Sequence, residues 1–115
     1  APISGVPNVD FWFIANGKFV GRTRVYTELN DQLLYAGGNI SYEVVPSERG
    51  KGYGTEILRQ ALKKAKELGL KKVPICCYEN NIGSRKIIEA NGGVLENMVL
   101  VRPGELQVMR FWIKL

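Results

Sequence analysis

The segment Arg49-Gly50-Lys51-Gly52-Tyr53-Gly54-Thr55 constrains this chain most, because a helical pattern begins directly after it. A glycine-rich turn that opens a helix points several backbone N–H groups at one spot. The helix dipole adds partial positive charge there, so the spot suits a phosphate. Gly52 and Gly54 allow close approach of an anion and, where needed, positive φ. Lys51 and Arg49 are expected to add mobile charge at the rim. The same residues also read as a tight strand-to-helix connection with basic neighbours.

The surroundings favour the first reading. Ile40 to Val45 alternates apolar and polar residues and is rich in β-formers, and Pro46 stops it. Beyond Thr55, the residues Ile57, Leu58, Ala61, Leu62, Ala65 and Leu68 share one helical face. Gly69 falls at the left-handed cap. The apolar run Val73 to Tyr78 follows as a strand. Strand, turn, helix and strand make a βαβ unit, with the anion site at the carboxyl end of its first strand.

Two phosphate motifs are excluded by spacing. A nucleotide-hydrolysing P-loop needs Lys and then Ser or Thr after its last glycine. Here Thr55-Glu56 follows, and the lysine stands between the glycines. A dinucleotide fingerprint needs a different glycine spacing and an acidic residue about 20 positions on. Glycines at 50, 52 and 54 do not fit it.

The pattern Arg49-x-x-Gly52-x-Gly54 resembles the acyl-CoA signature of the GNAT superfamily of N-acyltransferases. Asn81-Ile82-Gly83-Ser84, after the second strand, is a second match in the right order. Asn91-Gly92-Gly93 and the closing Arg110-Phe111-Trp112-Ile113 resemble a bacterial-type branch. The resemblance covers residues 11–115, with 1–10 as an N-terminal extension. It implies a single α/β (α+β) domain over 1–115. Its sheet would be mixed and mostly antiparallel, around a central parallel βαβ unit, with two main helices.

The resemblance also assigns site residues. Backbone amides of Gly50, Lys51, Gly52, Tyr53, Gly54 and Thr55, with Arg49, would hold the pyrophosphate of acetyl-CoA. Val44 and Val45 would offer backbone groups to the pantetheine arm, and Asn81 and Ser84 would bind the same arm or the phosphates. Helix capping is an equally good account of Asn81, since Asn is a favoured N-cap. Ser84 also reads as a plain first-turn residue.

The remaining segments read as strands. Phe11 to Val25 folds back at Asn16-Gly17, a pair suited to the tight turn with two positive-φ residues. Residues 27–39 read as a loop, with Gly37-Gly38-Asn39 among its breakers. Asn97 to Val101 and Gln107 to Leu115 form a final hairpin. Phe11, Trp12, Phe13 and Trp112 read as core. Pro74 cannot donate to a ladder, which suits a strand that diverges from its neighbour to admit a cofactor.

A length of 115 residues allows one domain. Nothing resembles a membrane span or cleavable signal. The two cysteines, Cys76 and Cys77, are adjacent on a strand, so their side chains diverge and a bridge would be strained. Reduced thiols in a cytoplasmic protein fit best. With no histidine, no metal is expected. The net charge of +5 suits an anionic cosubstrate. The cluster Lys63, Lys64, Lys66, Lys71 and Lys72 reads as a solvated helix face rather than a nucleic-acid surface.

The implied reaction is attack of an amine on a thioester, which needs a neutral amine, an oxyanion donor and a proton for the thiolate. A backbone N–H near Val44 or Val45 fits the second need. Members of the family often carry a tyrosine seven residues after the motif asparagine, but here Ile88 stands there. Glu43 and Tyr78 are the candidate acid and base, although Glu43 also suits pairing with a neighbouring arginine. Relative to the family, the chain enters near the second strand, so an N-terminal strand and helices that wall the acceptor site are not evident. A shortened chain, a homodimer or second chain supplying that part, and a minimal module all remain open. The expected activity is acetyl-CoA-dependent N-acetyl transfer; the alternative is a CoA-binding module without turnover.

Overall fold

The computed structural model describes residues 5–115; the first four residues of the expected extension lie outside the described residues. The elements in order are β1 Asn8–Ala15, β2 Lys18–Tyr26, β3 Ile40–Val44, α1 Tyr53–Glu67, β4 Lys72–Tyr78, α2 Ile82–Ala90, β5 Val94–Val99 and β6 Val108–Lys114. They form two three-stranded sheets, β1-β2-β3 and β4-β6-β5, and every hydrogen-bonded neighbour is antiparallel. The β1–β2 hairpin turns at Asn16 and Gly17 with φ of 53° and 74°, as the Asn-Gly pair predicts. β1 starts at Asn8, three residues ahead of the expected Phe11. β5 likewise starts at Val94, directly after the Asn91-Gly92-Gly93 turn.

The α+β class holds, but the expected central parallel pair does not form a ladder. β3 and β4 lie in different sheets. Their link is a bridge between Gly38 and Ile75, with Asn39 N–H donating to Pro74 O at 2.9 Å. Because the carbonyl and nitrogen of one strand residue share an edge, Pro74 turns its missing donor toward β3. The proline therefore removes nothing from the β4–β6 ladder. It leaves the β3 side open.

The core follows from the helical face. Leu58, Ala61 and Ala65 of α1 are buried against Val25, Ile40, Val73, Ile75 and Phe111, and Ile57 is buried beside Gly21 of β2. Leu68 leaves this face, since it lies past the last helical turn at the C-cap, and Gly69 takes φ +95° beyond it. Trp12 is not core: it is 73% exposed, on the opposite face from Phe11, in edge contact with Phe19. Phe11 is half-buried against the core, and Trp112 donates its indole N–H to Glu96. The loop at 27–39 contains a wide helical turn at Leu33–Gly37 that buries Leu33. In the basic cluster, Lys64 lies over the Phe11 ring and Lys72 over Trp112, so aromatic faces occupy part of that charge. Among the described residues, no helix is long and apolar enough to cross a membrane.

Candidate functional site

The glycine turn stands where β3 ends and α1 begins, and its glycines serve different needs. Gly50 and Gly52 have φ of +77° and +86°, and a Cβ on either would meet nothing within 4 Å. They are conformational glycines with open space before them. Gly54 is a packing glycine, since a Cβ there would lie 2.5 Å from Ile87 Cδ1. Gly54 thus also lets α1 and α2 pack closely, while it lines the cavity described next. The N-cap of α1 is Gly52, which makes no side-chain capping bond. The first-turn amides therefore lack intrahelical and capping partners. A cavity of about 490 Å³ opens here, lined by Val44, Arg49, Gly50, Gly52, Gly54 and Asn81 among others.

The charge at the turn is arranged differently from expectation. Lys51 is not a free rim cation: its Nζ lies 2.8 Å from Glu48 Oε2, while Lys18 holds the other oxygen at 2.6 Å. Glu48 is only 3% exposed, and its bonds to Lys18 and then Lys51 hold its carboxyl below the usual range. This buried carboxylate fixes the base of the turn. Arg49 donates its Nε to Val44 O at 3.0 Å. Among the described residues it has no carboxylate partner. Arg49 is therefore the uncompensated cation at the cavity.

The register of β3 decides which backbone groups face the cleft. Val45 N–H donates to Val20 O at 3.0 Å, so that donor is spent on β2. Pairing of β3 with β2 runs Gly21 to Val44, Arg22 to Glu43 and Thr23 to Tyr42. Alternation along an antiparallel ladder then turns the main-chain groups of Tyr42 and Val44 to the open edge. Val44 has its main chain at the open edge, with its carbonyl accepting from Arg49, whereas the Val45 N–H is used within the sheet.

Asn81 caps α2, its Oδ1 accepting from Ser84 N–H at 3.1 Å. Ser84 does more than fill a first turn: its Oγ lies 2.6 Å from the Tyr42 hydroxyl. A second cavity, about 430 Å³, lies between β3 and β4, with Ile40, Cys76, Cys77 and Tyr78 on its walls. Tyr42, Asn81 and Ser84 line both cavities, so the Tyr42–Ser84 contact stands between them. Tyr42 was absent from the expected residues. Its position, two before Val44 on the open edge, was the signal that could have found it.

The expected catalytic candidates are less favourably placed. Glu43 lines the cavity at the glycine turn, but its carboxylate accepts from Arg22 Nε at 2.7 Å across the ladder. Tyr78 is more than half exposed at the mouth of the inter-strand cavity. Ile88 is wholly buried in the core, so position 88 does not present a side chain to solvent. Tyr53, Thr55, Lys51 and Val45 are not among the residues lining either cavity, although Tyr53 and Thr55 contribute first-turn amides.

The two thiols are unbonded, and burial pushes Cys76 up to about 11. At pH 8 about one Cys76 thiol in a thousand is then ionised. Native protein should therefore alkylate with iodoacetamide at Cys76 far more slowly than protein unfolded in urea, as followed by peptide mass spectrometry. Equal rates would show that the thiol is not held in an apolar wall.

The comparisons agree with this geometry. The acetyltransferase (GNAT) domain profile matches residues 5–94, starting earlier than the expected residue 11. No curated protein sequence matches the chain. Among solved structures, YncA of Salmonella typhimurium with its cofactor acetyl-CoA superposes with a TM-score of 0.67 at 20% identity, over 86% of this chain and 60% of that one. A spermidine N-acetyltransferase SpeG variant from Vibrio cholerae gives 0.75 at 18% identity, over 93% and 65%. A GNAT-family acetyltransferase from Streptococcus pneumoniae gives 0.74 at 16%, over 94% and 67%. The chain thus spans about 60 to 67% of the length of these structures.

Proposed function

Because the chain belongs to the GNAT acetyltransferase family, we propose that it transfers an acetyl group from acetyl-CoA to a primary amine by direct attack on the thioester. The observation that carries this reading is the uncapped start of α1 at one cavity, adjacent to a second cavity between β3 and β4 that shares Tyr42, Asn81 and Ser84 with it. The first-turn amides and Arg49 would hold the diphosphate. Val44, on the open edge of β3, would pair with the amides of the pantetheine arm as an added strand would. The Tyr42 or Val44 N–H, rather than that of Val45, would face the carbonyl oxygen as it gains charge.

The acceptor is not read from the neighbours. The Vibrio protein is a spermidine N-acetyltransferase, and a polycation calls for surplus negative charge. Here Asp10 is paired with Arg24 and Glu43 with Arg22, so these carboxylates are already neutralised. A second reading, a CoA-binding module without turnover, is favoured by the aliphatic, buried Ile88.

Calorimetric titration with acetyl-CoA, followed by thiol release with a panel of amines, tests both. Release above the buffer rate supports transfer. Binding without release supports the module. Absence of binding overturns both.

A further inference from the structure

We propose that the Tyr42 hydroxyl is the group that donates a proton to the CoA thiolate as it departs. This rests on the acetyl-transfer reading above and adds the acid that reading lacks. Tyr42 is positioned twice over. Its main chain is on the open edge of β3, so an acyl arm held along that edge passes the base of its own side chain. Its phenol reaches the first turn of α2 and ends 2.6 Å from Ser84 Oγ, and both residues line both cavities. An acyl arm lying in either cavity therefore has that hydroxyl on its wall.

The other proton donors in the cleft fit less well. Tyr78 is exposed at the outer mouth, and the sequence holds no histidine. Cys77 is buried beneath the start of α2. Burial raises the phenol of Tyr42 above its ordinary range, so it carries its proton through neutral pH. Ser84 anchors the hydroxyl, and the α2 start that carries Ser84 is fixed by the Asn81 cap.

The step balances. The amine nitrogen bonds to the thioester carbon, the C–S bond breaks with its electron pair on sulfur, and sulfur takes the Tyr42 proton. The acylated nitrogen gives up one proton to solvent. Tyr42 regains one from solvent through the Ser84 hydroxyl. Ser84 is a positioning residue here.

The test compares wild type, Tyr42→Phe and Ser84→Ala in thiol release, with acetyl-CoA and desulfo-CoA affinities measured by calorimetry. Loss of a general acid predicts a kcat lower by about 100-fold in Tyr42→Phe. Its affinity for desulfo-CoA should stay within about twofold of wild type, showing an intact site. Ser84→Ala keeps the backbone N–H that Asn81 caps, and should lose kcat by about fivefold with unchanged affinity. An unaltered kcat in Tyr42→Phe overturns the assignment. So does a loss confined to affinity, which marks a wall residue. Wild type that binds acetyl-CoA but releases no thiol overturns the role of Tyr42 and leaves the binding module standing. Wild type that binds no acetyl-CoA overturns the underlying reading itself.

Discussion

Replacing Gly52 with Asp is expected to weaken acetyl-CoA binding by about 100-fold or more, equivalent to about 2.7 kcal/mol. Two effects weaken binding, and a third weakens the fold. The residue sits at φ +86°, where a side chain costs about 1–2 kcal/mol. Its Cβ would project into open space at the mouth of the cavity, so the carboxylate would stand where a diphosphate is to be held. A negative charge beside the first-turn amides would also cancel the field that makes them attractive to an anion. Gly52→Ala separates the contributions, since it carries the same backbone strain without charge. It should lose stability by about 1–2 kcal/mol but only a small part of the affinity. Calorimetry on both variants and wild type decides the matter. Equal affinity in Gly52→Asp would remove the diphosphate from the start of α1.

The parts of this site that were legible in the sequence depend on near neighbours along the chain. The glycine turn, the Asn16-Gly17 hairpin and the Asn81 cap are each set within a few residues. What escaped depends on distant partners. Gly54 looked like a ligand-approach glycine only, until Ile87, 33 positions on, proved to lie against it. Val44 and Val45 were indistinguishable until pairing with Val20 consumed one of the two donors. Lys51 was read as free because burial of Glu48 is completed by Lys18, on another strand. Tyr42 meets Ser84 across 42 positions, and no local pattern signals that contact. Aromatics on strands are usually core, which is why Trp12 reads so with Phe11 and Phe13, but alternation along β1 places it on the opposite face from those two half-buried rings.

Gly38→Ala should be the most destabilising of the glycine substitutions tested at positive φ, by about 3 kcal/mol. Its φ of +74° with ψ of 173° is a conformation essentially confined to glycine and costs an alanine about 1–3 kcal/mol. In addition, an alanine Cβ would lie 2.4 Å from Pro74 O, a backbone atom that cannot rotate away. Forcing space in a packed site adds about 1–3 kcal/mol. The position matters because Gly38 and Asn39 fasten the two sheets. Asn39 exchanges backbone and side-chain bonds with Tyr26 on one side and donates its N–H to Pro74 on the other. Gly50→Ala is the matched control, having nearly the same φ but nothing within 4 Å of the new Cβ. Urea denaturation should show about 1–2 kcal/mol for Gly50→Ala and clearly more for Gly38→Ala. If the two lose stability equally, the contact with Pro74 is not what holds the sheets in register. The gap between β3 and β4 would then have to be set by α1 and the buried face of both strands alone.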